Sequence, residues 1–433
     1  MAIRSRFLLP AFMLVLNFTQ AQTDSVYTSV YLGKSTRFAW TTYGADLLVL
    51  GGGKSPLPGG SEAQVNFGPS FIPRLTIGGV HFWGHGEFYV HFPLPFLSFQ
   101  QRPDPFSELT YKHGIETGFR VFPLKLKPGR ISPYIGTSFK LLSYRQEPEG
   151  SNYRYGGAEY QKMIFPLHAG ISYTTKKHII NLGIQYQSLR NISYYTAPGE
   201  LGTVNLEPLS IQLGLTRYID TDKSMRNKEG VEQENLKHAI LAKEKKLDSW
   251  YWALGPSAAI QTSKSPYLQS AFPQLYDNYV GGFIPDIAFG RYLYKPDMNI
   301  GLSYRTYGST LEGFSDQVKM RRHSLMLESY KFLFNWLGFV PFAGVTASVE
   351  SLRTEVNGTR FTETKPALGF IFGWDIRVTQ TGTSLLRTNL RWTPGLHQTI
   401  NNEKLMYDNL EFNFIQWVQF IGRKKVYRKY SKQ

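Results

Sequence analysis

Residues 178–187 read HIINLGIQYQ, and the run alternates: Ile180, Leu182, Ile184 and Tyr186 take one side, Asn181, Gly183, Gln185 and Gln187 the other. Side chains along a β-strand point to opposite faces in turn, so such a run presents one greasy face and one polar face. The chain of 433 residues repeats this writing over approximately 38–50, 70–83, 86–97, 111–123, 131–146, 161–174, 178–189 and 207–219. It does so again over 250–263, 281–294, 298–309, 323–334, 339–353, 366–379, 383–393 and 409–421. The segments run about ten to thirteen residues, whereas strands of soluble proteins average about five or six. A run near that length with one fully apolar face matches a tilted crossing of a bilayer.

The connections alternate in length. Short ones are GH (84–85), LKLKPGR, TKK, KPD, WLGF and TGT; long ones are LGGGKSPLPGGSEAQ, SFQQRPDPFSE, RQEPEGSNYRYGGAE, SPYLQSAFPQLYDNY and TEVNGTRFTETK. Up-and-down membrane barrels have this rhythm, with short turns at one end and long loops at the other. The two sets also resemble each other in order. FIPRLTIGGVHF (71–82) parallels FIPDIAFGRYLY (283–294), and SPYIGTSFKLLS (132–143) parallels VPFAGVTASVES (340–351), as a tandem duplication would produce.

Composition agrees. Aromatics make up 15 %, charged residues only 18 %, and glycines number 40, a mixture that favours strands over helices. The expected fold is therefore all-β: a transmembrane antiparallel up-and-down β-barrel. A sheet in hydrocarbon has no free edge, so it closes either as two tandem eight-stranded barrels or as one sixteen-stranded barrel. Two barrels are favoured because each set carries both signs of charge on its inner face.

The expected organisation has five parts. Residues 1–21 are a secretory signal peptide, with Arg4 and Arg6 before the apolar run Phe7–Leu16 and small residues Thr19 and Ala21 at the cleavage site. Residues 22–220 are the first eight-stranded unit. Residues 221–249 are a densely charged linker, helix-friendly from Glu232 to Lys246 and available to a partner protein. Residues 250–422 are the second unit, and 423–433 (RKKVYRKYSKQ) are a basic tail. An even number of strands returns the chain to its starting side, so linker and tail belong at one end.

Charges on the inner faces are the candidate functional residues. In the first unit these are Arg74, Glu87, His91, Glu116, Arg120 and Lys140, and His168 is expected beside them. In the second they are Asp286, Arg305, Glu328, Glu350, Asp375, Arg387, Arg391 and Glu411, read as a ladder of ion pairs across a filled lumen. Charges in a narrow interior need partners.

Other chemistry is sparse. The chain has no cysteine, which removes thiol catalysis, cysteine-ligated metals and disulfides. LVLGGGKSP (48–56) resembles a phosphate loop but has Leu48 where the first glycine belongs, and Pro56 blocks the following helix. His81, His85 and His91 surround one hairpin but sit too far apart along it for a shared zinc. His323 with Ser324, and His397, are the candidates for lipid hydrolysis, without an evident acid partner. No catalytic residue, cofactor or metal is expected, and the chain is read as not an enzyme. The formal net charge of +16 includes six basic residues in the last eleven, and it fits anionic lipid head groups better than nucleic acid.

RFAWTTYGADLLVL, ISPYIGTSFKLLSY, LHAGISYTTKKHIINLGIQY and LEFNFIQWVQFI carry a resemblance to the PorT-like and OmpA/OmpX-like outer-membrane barrels, especially those of Bacteroidota. It covers both halves. It implies an integral outer-membrane protein with a structural, assembly or interaction role, secretion among them; a passive solute channel and a lipid-modifying enzyme are the alternatives. It further implies contact with outer-membrane lipid and lipopolysaccharide, extracellular long loops, and a periplasmic linker and C-terminus. Insertion would pass through the barrel-assembly machinery, with Phe414, Trp417 and Phe420 as the aromatic signal. The family usually has one barrel per chain and an aromatic at the very end, and this chain departs from both habits.

Overall fold

The computed structural model describes residues 40–57, 63–100, 103–220, 228–277, 280–335, 339–377 and 381–430. The signal peptide expected over 1–21 lies outside the described residues. The barrel strands are β1 (Trp40–Leu50), β2 (Ser70–His81), β3 (Gly86–Pro93), β4 (Phe106–Val121), β5 (Arg130–Pro148), β6 (Leu167–Thr174), β7 (His178–Tyr186) and β8 (Leu209–Asp220). The second set is β9 (Ser249–Gln261), β10 (Val280–Leu293), β11 (Met298–Gly313), β12 (Asp316–Phe332), β13 (Phe339–Val356), β14 (Thr359–Ile376), β15 (Ser384–Trp392) and β16 (Asn409–Phe420).

Every strand pairs antiparallel with its neighbour, and each set closes on itself. β1 pairs with both β2 and β8: Asp46 lies opposite Arg74 on one side and Gly214 on the other. β9 likewise pairs with β10 and β16. The fold is therefore two eight-stranded rings, and the sixteen-stranded ring is not formed. Closure satisfies the backbone of every strand from within the sheet, as a hydrocarbon environment demands. No helix among the described residues is long and apolar enough to cross a membrane.

Glycine on the inner faces has a packing reason. A Cβ on Gly290 would stand 2.6 Å from the Tyr251 hydroxyl and 2.7 Å from the Ile300 carbonyl oxygen. Gly183 is overlaid in the same way by Tyr134, and Gly118 by Tyr89. Buried tyrosines thus lie across the lumen where the wall carries no side chain.

Several strands are longer than their alternation predicts. TEVNGTRFTETK, read as a loop, is the tip of the β13–β14 hairpin, turning at Asn357 and Gly358, whose φ angles of 46° and 91° suit an Asn-Gly pair. β12 starts at Asp316, not 323. Toward the long loops the strands continue with an apolar inner face, Val318, Met320, Leu352 and Val356 among it, and a charged outer face with Lys319, Arg321, Arg353 and Glu355, so a reading that looks for a greasy outer face loses its signal there.

Helix α1 (Lys228–Lys243) forms part of the linker, α2 (Pro266–Ala271) lies in the β9–β10 loop, and α3 (Arg423–Tyr430) forms much of the tail. The basic tail is docked rather than loose. Arg423 stacks 3.9 Å from the Phe420 ring and donates to the Ser249 hydroxyl at 3.0 Å and to the Gly382 carbonyl at 2.9 Å. The Tyr427 hydroxyl donates to the Thr381 carbonyl at 2.7 Å.

The rings stand side by side and touch along their height. Near the short turns Phe88 stacks on Phe339 at 6.3 Å and meets Trp374 at 6.1 Å. Midway, Phe139 meets Phe412 edge-on at 4.8 Å, and Phe92 meets Phe414 at 6.4 Å. At the long-loop end Tyr276 packs on Tyr160 and Tyr194, and its hydroxyl accepts the Tyr195 amide at 2.7 Å. There Tyr155 and Phe314 also join backbones: the Tyr155 amide donates to Phe314 at 2.9 Å, and the Phe314 amide to Gly156 at 2.6 Å. Aromatic pairs of this kind contribute about 0.5–1.5 kcal/mol each beyond their buried area.

Because the chain has no native cysteine, Phe139→Cys with Phe412→Cys gives a clean reporter of the seam. A short bifunctional maleimide is expected to join the two halves in membranes, read as a mobility shift after protease cleavage in the linker. A Leu182→Cys and Phe412→Cys pair, with Leu182 on the exposed outer wall, is expected to stay unjoined.

Candidate functional site

Both lumens have three layers. In the first ring an apolar cluster closes the long-loop end, with Leu48, Phe106, Leu142, Tyr144, Ile192 and Leu206 among its members. Trp40, Val80, Phe122, Leu126, Tyr134 and Ile179 close the other end. In the second ring Leu268, Val318, Met320, Leu352, Ile400 and Leu405 belong to the long-loop cluster, and Tyr251, Tyr330, Phe332, Phe342, Val418 and Phe420 to the opposite one. Acidic, basic and polar side chains fill the section between. Eight strands enclose a space that side chains can fill, and here they do.

In the first ring Arg74 is the hub. It donates to Asp46 from Nε at 2.6 Å and to Glu116 Oε2 from NH1 at 2.6 Å. Lys140 donates to the same Glu116 oxygen at 3.3 Å, and the His168 ring lies 3.7 Å from the other. Gln185 donates to Glu116 at 3.3 Å and to Gln212 at 3.0 Å; Gln212 donates to Asp46 at 2.7 Å. A second centre joins Arg120 to Glu87 at 2.9 Å, with the guanidinium 4.1 Å from the Tyr89 ring centroid. His91 meets neither acid. It contacts Thr76 at 2.8 Å and Gln212 at 3.1 Å.

In the second ring one chain of alternating sign runs Glu350–Arg322–Glu411–Arg305–Glu328–Arg391–Asp286. Arg322 grips Glu350 with two bonds, Nε to Oε2 at 2.7 Å and NH2 to Oε1 at 2.8 Å, while Ser324 and Ser348 donate to the same carboxylate. Asn413 donates to Asp286 at 2.8 Å. Asp375 and Arg387 are not in this chain. They form their own fork nearer the short turns, at 2.6 and 3.0 Å, with Arg377 joining at 3.3 Å and the Tyr330 ring beside Arg387.

Every expected lumen residue is thus buried inside its ring, but the single ladder of the second unit is two clusters. The expectation missed Asp46, Arg322 and Arg377. Arg322 was hidden because β12 was expected to start at 323, seven residues late; parity with Ser324, Met326 and Glu328 places it inward. The equivalent positions after Phe-Ile-Pro, Arg74 and Asp286, carry opposite signs. Asp286 accordingly faces Arg305 across the β10–β11 pair, while Arg74 faces Asp46.

The lipid-hydrolysis candidates do not converge. His323 lies within β12 and points outward, its Nδ1 3.0 Å from the Tyr304 hydroxyl, whereas Ser324 points inward to Glu350. His397 contacts the Gly395 carbonyl at 2.8 Å in an exposed hairpin. His81, His85 and His91 go separately to the Phe88 ring, the Phe122 carbonyl and Thr76. Among the described residues no group of three such side chains is arranged to hold a metal ion.

At the short-turn end α3 reaches α1: Lys429 donates to Glu244 at 2.9 Å and the Tyr430 hydroxyl at 3.0 Å. These two hydrogen bonds hold the Glu244 carboxyl below its ordinary value, and the same contact holds the Lys429 ammonium above its own. Burial pushes the Arg423 guanidinium down to about 10.

Two measurements follow. Glu116→Ala strands Arg74 and Lys140 without their shared carboxylate, so it is expected to destabilise the first ring by about 3–5 kcal/mol. Urea unfolding followed by tryptophan fluorescence reads this, with Trp250 and Trp252 of the second ring unaffected at the same denaturant. For the tail, a depressed carboxylate stabilises the contact above its ordinary pKa and loses that stabilisation as pH falls through the folded value. A raised ammonium stabilises it below its ordinary pKa and loses this as pH rises through the folded value. Amide protection in α3, taken relative to the intrinsic exchange rate at each pH, is therefore expected to be greatest on a neutral plateau and to fall at both extremes, the acid limb vanishing in Glu244→Gln.

Comparison with protein-family models and with curated proteins returns no match. Among solved structures, the chain is similar to Neisserial surface protein A at 16 % identity, covering 40 % of this chain and 96 % of that one, with a TM-score of 0.29. It is similar to Ail, the attachment invasion locus protein of Yersinia pestis, at 9 % identity, 40 % and 97 % coverage and a TM-score of 0.26. An outer membrane channel from Pseudomonas putida F1 aligns at 10 % identity over 88 % of this chain and 96 % of that one, with a TM-score of 0.21. At such identities and scores the likeness carries no information on function.

Proposed function

We propose that this chain is an integral outer-membrane protein whose twin barrels form a closed structural platform for interaction rather than a conduit. Support for the membrane reading comes from the outer walls. Leu182, Ile184, Ile211, Leu213 and Leu215 on β7 and β8 of one ring, and Leu254, Ile287, Phe289, Leu327 and Phe370 on β9, β10, β12 and β14 of the other, are exposed apolar side chains. Such a belt around a closed sheet is stable in lipid and a liability in water.

The observation that carries the platform reading is the filled lumen. Each ring is stoppered at both ends by apolar clusters, and between them the charges pair within hydrogen-bonding distance. A channel needs a continuous polar path, and among the described residues the apolar clusters interrupt it in both rings. In this reading the long loops and the joined ribbons around Tyr276 and Phe314 face the environment and meet binding partners. Helices α1 and α3 face the periplasm, where the linker meets a partner protein. Lipopolysaccharide surrounds the outer half, and insertion runs through the barrel-assembly machinery. Of the aromatic residues in β16, Trp417 is the one on the exposed wall. Kinship with the PorT-like barrels of Bacteroidota, and a role in secretion, belong to this proposal through the strand motifs alone.

Purified protein in planar bilayers is expected to give no stable conductance, while showing the heat-dependent gel mobility of a folded barrel. Steady channel currents from folded protein would reject the closed platform.

A further inference from the structure

The outer wall of the second ring carries an arrangement that the platform reading does not use. Across β11, β12, β13 and β14 the outward side chains form rungs fixed by the strand register. Two rungs are apolar: Leu302–Leu327–Ala347–Leu368, then Tyr304–Leu325–Val349–Pro366 toward the long-loop end. The next rung is Thr306–His323–Ser351–Thr364, bearing hydroxyls and an imidazole. Above it Arg321 lies directly opposite Arg353, between Gly308 and Thr362.

Like charges opposite each other on one face of a sheet, with Cβ atoms about 5 Å apart, destabilise it unless an anion sits between them. Among the described residues neither arginine has an acidic partner within ion-pair distance. The nearest acid on the following rung, Glu355, is engaged by Lys319 at 3.5 Å. Successive rungs on one face are about 7 Å apart, so the arginine pair stands about 13 Å beyond the last apolar rung. Aliphatic arms let both guanidinium groups lean toward the polar rung between.

We propose that this face binds a phosphorylated glycolipid of the outer leaflet. Its acyl chains lie on the Leu302–Leu368 and Tyr304–Pro366 rungs. Its sugar hydroxyls and amides meet Thr306, His323, Ser351 and Thr364, and its phosphate bridges Arg321 and Arg353. Guanidinium forks match phosphate oxygens bidentately, which an ammonium cannot do. The exposed apolar rungs directly below select an amphiphile over a soluble phosphate or a phosphopeptide. The inference rests on the membrane reading above and adds a defined site to it.

The test uses the full chain purified in mild detergent, with folding verified by heat-dependent gel mobility. Native mass spectrometry then measures retention of lipid A bearing its phosphates and of the same lipid with the phosphates removed. Wild-type protein is expected to retain the phosphorylated form selectively. Arg321→Ala and Arg353→Ala are each expected to lower retention by on the order of tenfold. The paired lysine variant is expected to fall between, and Arg360→Ala to behave as wild type. All these side chains are on the outer surface, so the variants keep both lumens intact. Equal retention by the double alanine variant, or equal retention of the two lipids, would overturn the site while leaving the membrane reading in place. Failure of the wild type to fold in detergent or enter bilayers would instead remove the membrane reading and the site with it.

Discussion

The obligation to pair every backbone amide and carbonyl governs this molecule. A strand at an open edge in hydrocarbon leaves groups that neither lipid nor water can satisfy, each at a cost of several kcal/mol. The pairing of β1 with β8 and of β9 with β16 removes both edges. Ring size follows from closing twice, and ring size in turn decides the interior. Eight strands leave room for side chains and no bore, so the inner face becomes a packing problem.

That problem is solved with the same section in both rings, grease at the ends and charge between. A buried ion pair gains little over well-packed apolar residues, yet removing one member is severe. The networks are therefore better understood as specifying which strands face each other than as a source of net stability. Glu116 illustrates this. It touches groups from β2, β5, β6 and β7, so four strands must arrive in register before its charge is balanced. The bidentate Arg322–Glu350 fork does the same for β12 and β13.

Alternation made the strands legible, and inward parity made most of the lumen legible, because both depend only on the period of two. Arg322 escaped because the start of β12 was misjudged in a stretch whose outward side chains, Lys319 and Arg321, are charged, and Asp46 because its neighbours Leu48 and Leu50 belong to an apolar stopper on the same face. The division of the second network into two clusters depends on heights within the ring, which no one-dimensional pattern records. The seam was illegible for a different reason. Phe139, Phe412 and Phe414 look like lipid-facing residues in sequence, and facing lipid or facing another barrel requires the same chemistry. The docking of α3 was hidden likewise, since a run of basic residues reads as solvated until Arg423 is seen against Phe420.

The reversal of sign between Arg74 and Asp286 has a consequence for assembly. Two look-alike halves emerging from one polypeptide face the hazard of mispartnering, in which a strand from one copy inserts into the wall of the other. Were β10 to take the place of β2, the Asp286 carboxylate would confront Asp46. Were β2 to take the place of β10, the Arg74 guanidinium would confront Arg305. Opposite polarity at one matched position thus gives each half an identity tag, since either hybrid wall would set like charges face to face.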